Sequence, residues 1–326
     1  MSVSLAQLEA LWSRLEASGI GQRAYVSLRL DGTSALDVHA ALRAPDRNPC
    51  LIFELPGPYA IGDVEFEVGG MRCARVTLDK GQGLMLSLED TARRDIFSKV
   101  CVDVVDYALR AATGPTLSLV LTRLESWRQF LRSVGAGMSR GELVGLVGEL
   151  QLLRQFVARS ASTLSTWRAP EDGLHDFENV GHALEVKTTL GSGSRVHISK
   201  LDQLSDAGLE RLDLVHVRLY ESAQGETVDE IVEDIAAALA TEEARQRFSD
   251  ALLRRGLEPA ARRSPELRTS LQHIAAFHVA DGFPRILRQD VPPAISEATY
   301  VLEISHLGTP SEPWSDVCDT YCLRNG

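Results

Sequence analysis

Several common protein classes are excluded by what this chain lacks. No apolar run reaches the roughly 18 residues that a membrane-spanning helix needs, because the strongest stretches are broken by Arg, Asp or Glu. There are only five cysteines (Cys50, Cys73, Cys101, Cys318 and Cys322), with no CxxC pair. That pattern excludes a disulfide-stapled miniprotein and fits a reducing cytoplasm, the expected location. Cys318 and Cys322 have the spacing to share one helix face, but two thiols do not make a zinc site. Aromatic residues make up 6% of the chain. Trp12, Trp127, Trp167 and Trp314 are too dispersed for a base-stacking platform, so core packing is their expected role. No GxGxxG, Walker A, GxSxG or HExxH string occurs, which argues against the common nucleotide-binding, hydrolase and zincin classes. The amino-terminal MSVSLAQLEALWSRLEASG reads as an amphipathic helix without the apolar core of a signal peptide.

Basic charge is also scarce. The net charge of −11 argues against a simple free-standing DNA binder. Its distribution qualifies that: residues 1–138 carry 15 basic and 16 acidic side chains, 139–220 carry 9 and 11, and the remainder carry 10 and 18. The first two thirds are near neutral, so a local basic groove is compatible with the sequence. At 44% hydrophobic and 24% charged, the composition of the 326 residues is that of an ordinary globular protein, with a length prior of about two domains.

Residues 24–88 alternate short β-type runs (AYVSLRL, ALDVHAAL, CLIFEL, DVEFEV, ARVTL, LMLSL) with Gly and Pro punctuation, which predicts an antiparallel sheet or small barrel. A helix from about Glu89 to Ala112, a strand at TLSLVLT and a short helix around Trp127 are expected next. The Gly- and Ser-rich stretch 133–139 suggests a boundary, giving a β-rich domain over 1–138. From Ser139 the pattern becomes a helix opened by a Ser139–Glu142 capping box, then strands at STWRAP, HDFENV and ALEVKTTL. A second helix capped by Ser199 and Asp202, through KLDQLSDAGLERL, and a buried strand LDLVHVRLY complete a core over 139–222. Residues 223–326 read as an acidic α/β extension packed on that core, with helices at VDEIVEDIAAALA and TEEARQRFSDALLRRG and strands at IAAFHVA and ATYVLEI.

The segment HDFENVGHALEVKTTL carries the chemistry. If Val180-Gly181 forms a two-residue hairpin turn, Asn179 pairs with His182 and Asp176 falls opposite Glu185. Glu185 and Lys187, two apart, then share the face with Asp176. Opposed carboxylates repel unless a cation lies between them, and Mg²⁺ or Mn²⁺ with several waters is the natural candidate. Lys187 is placed to orient or deprotonate an attacking water, or to stabilise charge on a phosphorane. A solvated salt-bridge ladder gives the same short pattern by chance. Glu149 adds context: its helical neighbours Gly145, Leu146, Leu152 and Leu153 are small or apolar, so a carboxylate there needs a partner. Gly141, Gly145 and Gly148 are expected to let that helix approach the sheet. Arg254, Arg255, Arg262, Arg263 and Arg268 are placed to track a phosphate backbone, but read first as a solvated helix face.

The strings GLVGELQLL, WRAP, HDFE, LEVKTT and HISKLDQL, in the order helix, three strands, helix, strand, resemble the PD-(D/E)XK nuclease core over roughly 140–205. They are most similar to a PD-(D/E)XK motif family of unknown function associated with restriction-type phage-defence loci. The resemblance implies a restriction-endonuclease-like α-βββ-α-β core within an α/β (α+β) protein. It implies Asp176, Glu185 and the Val186 carbonyl as metal ligands, Lys187 as the catalytic lysine, Glu149 as a further catalytic and metal contact, and Gln203 in support. The proline of the motif's name is displaced, since Pro170 precedes Glu171-Asp172. Asp172 is therefore a rival to Asp176, though its place beside Gly173 also suits a turn cap. His175 and His182 read as strand-edge polar residues and His197 as structural. The expected function is a Mg²⁺-dependent DNA endonuclease of a bacterial anti-phage system, with partner-dependent activity. Its partners would be DNA, ATPase- or helicase-like defence proteins and a second copy in a homodimer, with no membrane. The alternatives are a catalytically silent scaffold on the same fold, or a chance motif in an unrelated α/β protein.

Overall fold

The computed structural model describes residues 3–18, 24–30, 37–55, 65–78, 81–110, 116–133, 138–171, 173–257, 267–310 and 312–324. Its contacts divide the chain into two compact units, Met1–Gly135 and Ala136–Gly326. No described helix is long and apolar enough to cross a membrane.

The first unit is built on six antiparallel strands: β1 (Tyr25–Arg29), β2 (Val38–Arg43), β3 (Pro49–Glu54), β4 (Phe66–Val68), β5 (Met71–Leu78) and β6 (Gly81–Leu88). Their order is β1-β2-β3-β6-β5-β4, as the punctuated runs predict for an antiparallel sheet. Helix α1 (Leu5–Ala17), capped by Ser4, buries Leu8, Trp12 and Leu15. Helix α2 (Arg94–Arg110) follows β6. TLSLVLT, expected as a strand, instead opens one continuous helix, α3 (Thr116–Ser133). Leu117, Val120, Leu124, Trp127 and Leu131 recur at three- and four-residue spacing and are all buried, so helical packing overrides local β propensity.

The second unit holds a four-stranded sheet. Helix α4 (Arg140–Arg159) starts with the Ser139–Glu142 capping box. Strands β7 (Phe177–Asn179) and β8 (His182–Leu190) form the expected hairpin, pairing Asn179 with His182 and Phe177 with Leu184. Val180 and Gly181 have φ of 38° and 77°, the two positive values of a tight hairpin turn. β9 (Arg195–Ile198) is the third strand, and β10 (Arg211–Glu226) runs parallel to β8, aligning Leu214 with Glu185 and His216 with Lys187. Helices α5 (Val228–Ala238) and α6 (Glu242–Arg254) lead to β11 (Thr269–His278), β12 (Tyr300–Glu303) and α7 (Trp314–Leu323). The sheet order is β11-β10-β8-β7, while β9 and β12 form a separate antiparallel pair. Leu184, Val186, Val215 and Val217 share a core with α4, α5 and α7. Ala183, Leu212, Leu214 and Phe277 belong to a second core with Val196, Ile198 and Leu302 of the β9–β12 pair.

Two expectations here are corrected. STWRAP is not a strand: residues 161–166 and 169–171 form 3₁₀ turns, and only Trp167 bridges to Phe177. The Thr163 and Thr166 hydroxyls donate to carbonyls three residues back, which favours tight turns over extension. The helix expected through 200–212 is a single 3₁₀ turn, Leu201–Leu204. Gly208 at φ +82° breaks it, and Arg211 already begins the long buried strand β10. The α-βββ-α-β order is thus met with β9, paired to β12, in place of the expected STWRAP strand, and with its second helix reduced to one turn.

Candidate active site

Beyond the Phe177–Leu184 pair, no described strand continues along this edge of β8. Instead the Val186 N–H donates to Asp176 Oδ2 at 2.7 Å, so a side chain closes the sheet where a strand would. Asp176 is fixed in turn through its carbonyl, which accepts from Arg168 and Ala169. Glu185 and Lys187 lie on one face of β8, with Lys187 Nζ 2.7 Å from Glu185 Oε1. Glu185 is 1% exposed, and its Oε2 is buried with no hydrogen-bond partner among the described residues.

Helix α4 brings in Glu149. A Cβ on Gly148 would lie 1.9 Å from Thr188 Oγ1, so glycine is what lets α4 lie against β8 at this depth. Gly141 and Gly145 have open space around them and do not serve the close approach expected of them. Glu149, 3% exposed, is gripped from two sides. Trp167 Nε1 donates to Oε2 at 2.9 Å. Arg255, the residue that caps α6, places Nη2 2.6 Å from Oε1 and Nε 3.2 Å from both oxygens. Arg255 is thus no part of a solvated face. It is the residue of this site that the sequence hid, because nothing local links it to a carboxylate 106 positions away. Arg262 and Arg263 lie outside the described residues.

These groups converge on one cavity of about 360 Å³, lined among others by Glu149, Asp176, Glu185, Lys187 and Arg255. Val186, Arg195, His197 and Gln203 also reach it. Gln203 spends its Oε1 on the Ser199 and Lys200 N–H groups, holding the turn that floors this side. Asp172, the rival aspartate, lies outside the described residues. The histidines differ from expectation. His182 is on an interior strand and fully buried, its Nε2 2.6 Å from the equally buried Asp213 Oδ2. His175 is also buried, with Nδ1 3.3 Å from Glu178.

Burial dominates the electrostatics of the cavity. Burial, then the charges of Glu185 and Glu149, push the Asp176 carboxyl well above its ordinary pKa. Burial also raises Glu185, against the opposing pull of Lys187. No three His, Cys, Asp or Glu side chains among the described residues are already gathered as a metal cage. Two carboxylates with one orphaned, buried oxygen nonetheless suit a hard cation that keeps much of its water.

A helix, three strands, a turn and a strand, with Asp176, Glu185 and Lys187 at the open edge of β8, place the chain in the PD-(D/E)XK class. Its particular family follows from comparison. The chain belongs to the family described as "Putative PD-(D/E)XK family member, (DUF4420)", whose model matches residues 8–305. No curated protein and no solved structure matches the chain.

Proposed function

We propose that this protein is a divalent-metal-dependent DNA endonuclease acting in a bacterial restriction or anti-phage system. The observation that carries the reading is the convergence of Asp176, Glu185 and Lys187 on one cavity, with Glu185 Oε2 left unpaired. Asp176, Glu185 and the Val186 carbonyl would hold Mg²⁺ or Mn²⁺. A bound dication supplies Lewis acidity toward a phosphodiester and acidifies water. Lys187, held by Glu185, donates hydrogen bonds to the attacking water or to the developing phosphorane charge. Burial of Glu185 on the sheet keeps bulk water from competing for that oxygen. DNA is the substrate, and ATPase- or helicase-like proteins, or a second copy, would complete the near-neutral core's hold on it.

The experiment is a cleavage assay with Mn²⁺ on plasmid and linear DNA, with partner proteins from the same locus added. Lys187→Ala should reduce cleavage by at least 100-fold with an unchanged melting temperature. A variant that cuts normally removes Lys187 from the chemistry, and one that unfolds makes it structural. A second reading, a silent nuclease-fold scaffold, is favoured by one fact: Lys187 and Arg255 already neutralise part of the carboxylate cluster. It predicts no metal binding by the wild type.

A further inference from the structure

Glu149 is the group that fits a metal cage least. It accepts from three N–H groups: Trp167 Nε1, Arg255 Nη2, and the single Arg255 Nε–H, shared between both oxygens. A carboxylate offers about four lone-pair sites, and the protein itself already engages both oxygens. The contact is a fork, with Nη2 on Oε1 and Nε reaching Oε2 as well as Oε1, which fixes both partners in direction as well as distance. Nη1 takes no part in it, and Arg255 lines the cavity beside Asp176, Glu185 and Lys187.

We propose that the site takes one dication rather than two, that Arg255 supplies the second fixed positive charge, and that Glu149 is the clamp that holds Arg255 instead of a metal ligand. This rests on the metal-dependent reading above. The charges agree with it. Glu149, Asp176 and Glu185 against Lys187, Arg195 and Arg255 leave the cavity lining with no net charge. One dication and one phosphodiester then leave the site with one net positive charge, whereas two dications would leave it with three. Arg255 Nη1, which has no hydrogen bond among the described residues, is available to a phosphate oxygen, and a guanidinium is well suited to that contact.

Calorimetric titration of the full chain with Mn²⁺ tests this without substrate. The wild type should bind one Mn²⁺ per chain. Glu149→Gln should keep that stoichiometry, with affinity lowered by less than about tenfold, since it removes a nearby negative charge but no ligand. Two Mn²⁺ per chain in the wild type, or a loss of tenfold or more in Glu149→Gln, overturns the inference and leaves the metal-dependent reading standing. No binding by the wild type overturns both. The wild-type stoichiometry tests the single dication even if the variant fails to fold, and Arg255→Lys, which keeps the charge but loses the fork on Glu149, should keep one Mn²⁺ per chain; a loss of binding there overturns the clamp.

Discussion

Asp176 is where burial and function pull in opposite directions. Its carboxyl is raised by burial and by the charges of Glu185 and Glu149, and the Val186 N–H offsets only part of this. A carboxyl with a raised pKa in the folded chain binds its proton more tightly there than when unfolded. Stability is therefore lost as pH rises from the ordinary carboxylate value through the raised one. Asp176→Asn, which keeps an acceptor for Val186, should stabilise the metal-free protein at pH 7. Each pKa unit of the rise corresponds to about 1.4 kcal/mol. The gain should shrink toward zero near pH 4, and calorimetric melts in chelator at both pH values would show it. An equal gain at both pH values would mean the effect is not ionisation. The sequence made Asp176, Glu185 and Lys187 legible because one hairpin register sets all three. It left Arg255 illegible because its partner lies on a helix more than a hundred residues away.

Among elements, the contact of α4 with β8 decides the site's depth. Gly148 faces Thr188 so closely that an added methyl must displace one or the other. Gly148→Ala should cost about 1–3 kcal/mol by overpacking. Gly145→Ala, on the same helix with open space around it, should be neutral or stabilise by up to about 1 kcal/mol through helix propensity. Denaturant melts of the two variants would separate them. Equal effects would show that the close approach is not limiting. Three glycines on one helix face were visible in the sequence, but which one touches the sheet depends on where along its length α4 crosses it. The single 3₁₀ turn at Leu201–Leu204 teaches the same lesson, since a capping pattern and helical spacing were both present there. The demand of β10 for a long parallel pairing with β8 overrode them.

For the whole molecule, every described residue lining the cavity falls in Ala136–Gly326, and so do both cores that flank the four-stranded sheet. Residues 136–326 expressed alone should therefore melt cooperatively and keep the Mn²⁺ stoichiometry of the full chain. A non-cooperative melt by circular dichroism would show that the first unit is needed for folding.

The sequence by itself determined the alternating strands of the first unit, the α4 helix with its capping box, and the β7–β8 hairpin that aligns the acidic residues with Lys187. Those features depend on periodicity and turn chemistry, which act over a few residues. Tertiary structure decided that TLSLVLT is helical, that Gly148 rather than its neighbours meets the sheet, and that His182 is buried against Asp213. It also decided that Arg255 clamps Glu149. Each of these depends on packing or charge pairing between residues distant in the chain, where burial of apolar area and compensation of buried charge outweigh local preference.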